Sequence, residues 1–183
     1  MRIRGQLVTN LLVGGIALSY LLQLLIPSYE GALWISGIDF QQGEYWRLLT
    51  VALVHGGLLH LGFNLYALHL MGLPVELYFG KTKYILVLLS SLICGSLASA
   101  LFNDPRIASI GASGMVFGLF GSLALIGERL GIEWRGILVI VGINFALGFI
   151  LGNVDWRAHV GGLIGGTAMT FLLYRPKKGL GNI

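Results

Sequence analysis

The chain has 183 residues, of which 56% are hydrophobic and only 11% charged, with a formal net charge of +4. Soluble domains carry about 25% charged residues, so this composition cannot furnish a water-facing surface and excludes a soluble globular fold. The Asp, Glu, Lys and Arg residues are also clustered, leaving six charge-free stretches, 7–26, 51–75, 84–102, 107–127, 136–154 and 158–174. Each is within the roughly 17–25 residues that cross a bilayer as helix. The pattern predicts an all-α membrane protein, one six-span domain over residues 1–183 with loops and short tails.

The first stretch follows Arg2 and Arg4 as a signal peptide would. It is too long for an apolar signal core and ends in Ile26-Pro27-Ser28 without a small-residue cleavage site, so it is expected to stay as an anchor. With a cytoplasmic N-terminus, nine of the twelve Lys and Arg residues fall inside and only Arg47, Arg106 and Arg157 outside. The bias toward inner positive charge predicts cytoplasmic termini. The basic pI of 9.4 then reflects anionic lipid headgroups and calls for no nucleic-acid partner. Cys94 can form no internal disulfide and does not report a redox compartment.

Residues 27–50 mix Tyr29, Leu33, Trp34, Ile35, Phe40, Tyr45 and Trp46 with Glu30, Asp39 and Glu44, which suits a segment lying at the membrane interface. Arg47, beside Trp46, is expected to clamp this segment by hydrogen bonds. The second stretch carries His55, His60 and Asn64. Polar groups at membrane depth usually face a bundle interior or a water-filled cavity. His60 and Asn64, four apart, share a helix face and can point at one object. For His55 and His69 a structural, hydrogen-bonding role is expected, and Glu76 is expected to fix the loop that follows. Asn103-Asp104-Pro105-Arg106 reads as a turn.

The fourth stretch contains Gly111-Ala112-Ser113-Gly114, a serine flanked by glycines. The nucleophile elbow of soluble hydrolases does not apply, because its second glycine would fall at Met115. A serine is a weak nucleophile unless a base activates it and donors stabilise the oxyanion. Gly114, Gly118 and Gly121 form one small-residue face that lets another backbone approach. The fifth stretch, with Asn144, has no ionisable group and reads as a helper. The sixth has His159 near its start, with Gly162 and Gly166 on nearly the same face. Two glycine-faced helices, one bearing Ser113 and one His159, at a common depth in the outer leaflet, suit a nucleophile and its base. Asp155 stands where a helix N-cap is expected, which leaves a Ser-His dyad.

These residues resemble the rhomboid family of intramembrane serine proteases over nearly the whole chain. The matching motifs are Trp46-Arg47, the H-x4-H-x3-N run of His55, His60 and Asn64, the G-x-S-G run Gly111 to Gly114, and Ala158, His159, Gly162 and Gly166. Gly72 and Glu76 match the family's G-x3-E. The resemblance implies a rhomboid-like bundle of six transmembrane helices with a short central fourth helix. It implies that Ser113 attacks a peptide carbonyl, that His159 moves the proton, and that His60, Asn64 and the Ser113 backbone N–H hold the oxyanion. Phe117 would pack on the His159 imidazole, at a place where family members often carry tyrosine. Substrates would be transmembrane segments cut near the outer face, with no cofactor and no metal. Neither H-E-x-x-H nor paired acids occur inside the stretches, so zinc and aspartyl intramembrane proteases are excluded. The competing readings are a non-catalytic relative that binds transmembrane clients and, more remotely, a small channel or transporter. The size of the chain points to a bacterial inner membrane.

Overall fold

A computed structural model describes residues 7–133, 135, 136, 139, 142 and 154–174. The protein is an all-α membrane bundle. Among the described residues, four helices are long and apolar enough to cross a bilayer: Leu7–Leu25, Leu58–Phe79, Lys81–Phe102 and Ser113–Leu130. The expected fifth stretch, 136–154, lies outside the described residues except for 136, 139, 142 and 154, as do the terminal charges that set orientation.

Helix α1 (Leu7–Leu25) turns Leu7, Leu11, Leu18, Leu21 and Leu25 outward and buries Thr9, Ile16, Ser19 and Tyr20. Three short helices follow: α2 (Tyr29–Leu33), α3 (Gly37–Gln41) and α4 (Arg47–Thr50). A capping box starts α3, with Ser36 Oγ accepting from the Asp39 amide and the Asp39 carboxylate accepting from the Ser36 amide. Arg47, 9% exposed, ties the segment together as its sequence position predicts. It donates to the Gly31 and Trp34 carbonyls at 2.8 and 2.9 Å and to the Glu44 carboxylate. Tyr45 and Trp46 remain exposed.

The charge-free stretch 51–75 is not helical throughout. Val51–Leu53 form a 3-10 turn, residues 54–57 are irregular, and α5 runs from Leu58 to Phe79. Gly57, at φ +138°, is the reason for the late start, since a side chain there would be strained. Helix α6 is Lys81–Phe102, α7 is Ser113–Ile126, and α8 is Trp156–Leu173. Residues 107–112 precede α7 as an irregular strand-like approach, bridged to Ile35 by the pair Ile35 N–H to Ser109 O and Ser109 N–H to Ile35 O.

The 14 α-helical residues of α7 span about 21 Å, the 3-10 turn Gly127–Leu130 carries the helix on to the length that crosses a bilayer, and eleven of the 14 are buried. It is the central helix. Small residues bring its neighbours close: a Cβ on Gly162 or Gly166 of α8 would fall on the backbone of Gly114 or Gly118 in α7. One on Gly161 or Gly165 would fall on the Cys94 or Ser90 carbonyl of α6. Without an apolar driving force between helices in lipid, this backbone proximity supplies the dispersion contacts that hold α6, α7 and α8 together. Hydroxyls on the same seam satisfy themselves, Ser122 against Thr170 at 2.7 Å and Ser90 on the Gly165 carbonyl at 2.9 Å.

At the end of the bundle away from Ser113, Glu76 is 1% exposed. Its carboxylate accepts from Val8 N–H (3.0 Å), Thr9 N–H (2.9 Å) and Thr9 Oγ1 (2.7 Å). A buried carboxylate is tolerable only when so paired. Gly72 clears the space, because a Cβ there would meet the Tyr84 hydroxyl and the Thr9 side chain. Glu76 thus anchors α1 to α5 and goes beyond the loop-fixing role its sequence position suggests.

Candidate active site

Ser113 is the first residue of α7 and is half-buried. The leading N–H groups of a helix have no acceptor within it and sit at the positive end of its dipole, so negative charge developing beside Ser113 is favoured there. Gly111, two residues earlier, has φ +110°. It must be glycine for a second reason: a Cβ would lie 2.8–2.9 Å from Cε1 and Nε2 of His60.

His60 is set by its own loop. Its Nδ1 accepts the Gly56 N–H at 3.3 Å, which assigns the proton of the neutral ring to Nε2. That nitrogen lies beside Gly111, two residues before Ser113. Asn64, one turn on and 5% exposed, donates one amide hydrogen to the His60 carbonyl at 2.9 Å and keeps a second. The shared face predicted from their spacing is present. His55, 1% exposed, uses Nε2 to accept the Ala112 N–H at 3.4 Å, and its ring stands edge-on to His60 at 5.1 Å. This bond braces the turn before Ser113. His69 is exposed on α5 and its side chain makes no hydrogen bond among the described residues.

His159, 6% exposed, lies in the first turn of α8, its ring stacked on Phe117 of α7 with centroids 4.0 Å apart. The backbones meet next to Ser113 and His159, since a Cβ on Gly114 would stand 3.7 Å from the Ala158 carbonyl. Asp155 caps α8 through Oδ1, which accepts from Arg157 N–H and Ala158 N–H at 3.1 and 3.2 Å. Its Oδ2 accepts from Ser99 of α6. Oδ1 is engaged by the cap and Oδ2 by Ser99. Trp46 and Arg47 contribute to the 27–50 segment and not to this cluster; the Arg47 acceptors all lie within that segment. No group of three or more His, Cys, Asp and Glu residues able to hold a metal occurs among the described residues.

Two contributors were not singled out in the sequence: Ser99, and Gln23 of α1, whose carboxamide pairs with the His55 backbone. The signal was available for both, as polar residues inside apolar stretches.

The Rhomboid domain family model matches residues 42–176. Rhomboid protease GluP of Bacillus subtilis (strain 168) is 42% identical over 143 residues, 75% of this chain and 28% of that protein. The putative rhomboid protease YdcA of the same organism is 31% identical over 163 residues, 84% of this chain and 82% of that one. RHOMBOID-like protein 7 of Arabidopsis thaliana is 41% identical over 140 residues, 71% and 43% of the two chains. The chain thus spans less than half of two of these relatives and most of the third.

Proposed function

The chain belongs to the rhomboid family, and from that premise we propose that it is an intramembrane serine endopeptidase working through Ser113 and His159. The observation that carries the proposal is the seating of Ser113 at the start of the buried α7, with the His159 ring stacked one turn along the same helix. Ser113 Oγ attacks the peptide carbonyl and passes its proton to His159. The oxyanion is met by the Ser113 N–H, the Nε2–H of His60 and the second amide hydrogen of Asn64. Collapse releases the amine with the proton returned from His159, and water then resolves the acyl-serine with His159 as base. No cofactor or metal takes part.

The substrates are transmembrane segments of other proteins in the same bilayer. Their helices must unwind before attack, because helical backbone groups are already hydrogen-bonded, so cleavage favours glycine, proline or polar residues near the cut and a small residue before it. With the termini cytoplasmic, the cut lies near the outer face of a bacterial inner membrane. The test is labelling of the detergent-purified chain by a fluorophosphonate serine probe. Wild type is expected to label, and Ser113→Ala and His159→Ala are not. A folded wild type that stays unlabelled sinks this reading and favours a non-catalytic client-binding relative.

A further inference from the structure

Gln23 sits near the C-terminal end of α1 and touches none of the groups assigned to the chemistry, yet its carboxamide engages the backbone of His55 twice. Oε1 accepts the His55 N–H at 3.0 Å and Nε2 donates to the His55 carbonyl at 2.8 Å. A backbone N–H only donates and a backbone carbonyl only accepts, so these two bonds fix which way the amide faces. The other Nε2 hydrogen goes to the Glu30 carboxylate of α2 at 2.8 Å, so both amide hydrogens are used.

Residue 55 lies in the irregular stretch 54–57, where no helix or ladder holds the backbone. A planar, two-bond pairing is what can hold a single residue in such a place. From there the placement runs in two directions. The His55 ring takes the Ala112 N–H beside Ser113, and the next residue, Gly56, gives its N–H to His60 Nδ1. The second of these bonds assigns the His60 proton to Nε2. A shift of residue 55 therefore disturbs the turn before the nucleophile and the donor state of His60 together.

Resting on the protease reading above, we propose that Gln23 is a positioning residue for oxyanion stabilisation, acting through the backbone of His55, and that Glu30 orients it. The placement concerns transition-state charge more than substrate capture, so the effect belongs in kcat.

The test uses the full chain in detergent as wild type, Gln23→Leu, Gln23→Glu, and each of these combined with Glu30→Gln. The readouts are fluorophosphonate labelling rate, kcat and KM on a transmembrane reporter, and thermal midpoint. Loss of one oxyanion donor costs about 100-fold to 1000-fold, and mispositioning costs less, so Gln23→Leu is expected to lower kcat by roughly 10-fold to 100-fold with KM within about twofold. Gln23→Glu keeps the bond from the His55 N–H but opposes a carboxylate to the His55 carbonyl and to Glu30, and its kcat falls as well. Adding Glu30→Gln restores a donor to the glutamate variant and raises its kcat by about fivefold, and it does not help the leucine variant. Unchanged kcat in Gln23→Leu, a change confined to KM, an equal response of both backgrounds to Glu30→Gln, or loss of the fold in both single variants overturns the proposal. Labelled wild type with indifferent variants removes the positioning role alone. Folded but unlabelled wild type removes the protease reading and this role with it.

Discussion

Phe117 and His159 stack face to face, with planes 13° apart and centroids separated by 4.0 Å, one ring from α7 and the other from α8. The stack fixes the plane of the imidazole, which in the proposed mechanism is the task that a triad acid performs elsewhere. Aromatic pairs contribute about 0.5–1.5 kcal/mol beyond their burial, or roughly 2-fold to 10-fold in a rate that depends on ring orientation. Phe117→Leu is expected to lower kcat by that factor, and Phe117→Tyr to stay within about twofold of wild type. Steady-state cleavage of a transmembrane reporter reads the difference, and equal activity of the leucine variant would show the stack to be idle.

Gly162→Ala places a methyl group on the Gly114 backbone and so forces α8 away from α7 beside the dyad. Overpacking costs about 1–3 kcal/mol, and here the displaced element carries His159. Reporter cleavage is expected to fall by at least about 100-fold, since small misplacements of reacting groups are that expensive. Gly14→Ala, with open space around its Cβ, serves as the control and leaves cleavage unchanged.

Asp155 discriminates a dyad from a triad. As a cap, Asp155→Asn retains an acceptor for the Arg157 and Ala158 amides, and kcat stays within about threefold of wild type. Asp155→Ala loses the cap and the Ser99 bond, and the thermal unfolding free energy drops by about 0.5–2 kcal/mol. A kcat loss near 10,000-fold in the asparagine variant, the size expected of a catalytic acid, would falsify the dyad.

Glu76→Ala strands the Val8 and Thr9 amides of α1 and leaves the Thr9 hydroxyl with Tyr84 alone. Hydrogen bonds to a charged group contribute about 1.5–3 kcal/mol each, so unfolding in detergent should come several degrees earlier. Fluorophosphonate labelling of the protein that remains folded is expected to be unaffected, because the network lies at the end of the bundle remote from Ser113.

The site was legible to the extent that its chemistry is written at helical spacing. His60 and Asn64 share a face, Gly114 and Gly118 meet Gly162 and Gly166, and Asp155 caps α8, all readable from intervals of three and four. The helix starts were less legible. Lack of charge marks what lipid can accept and not what is helical, so the irregular residues 54–57 and 107–112 looked like parts of spans. Pairings between distant helices left no local trace: Thr9 with Glu76, Ser99 with Asp155 and Gln23 with His55 are 67, 56 and 32 residues apart.

The Asn103–Arg106 turn gives a pH signature away from the membrane spans. Hydrogen bonds from the Arg106 side chain and amide hold the Asp104 carboxyl down at about 2, from an ordinary 3.8. A depressed carboxyl stabilises the fold above its ordinary value and loses that contribution as pH falls through about 2. The gap between wild type and Asp104→Asn in unfolding midpoint is therefore expected to be constant from neutral pH to about 4 and to close between 4 and 2. The pair is solvent-exposed, so the gap is small and shrinks further in salt.

The glycine seam divides the molecule mechanically. Helix α8 packs against α6 and α7 through these glycines far more extensively than α5 packs against α7. In the proposed mechanism Ser113 and His159 ride on α7 and α8, and the His60 and Asn64 donors ride on α5, which α1 holds through Glu76. The dyad and the oxyanion donors of that mechanism therefore depend on different helix contacts, the glycine seam for the one and the α1–α5 anchor at Glu76 for the other.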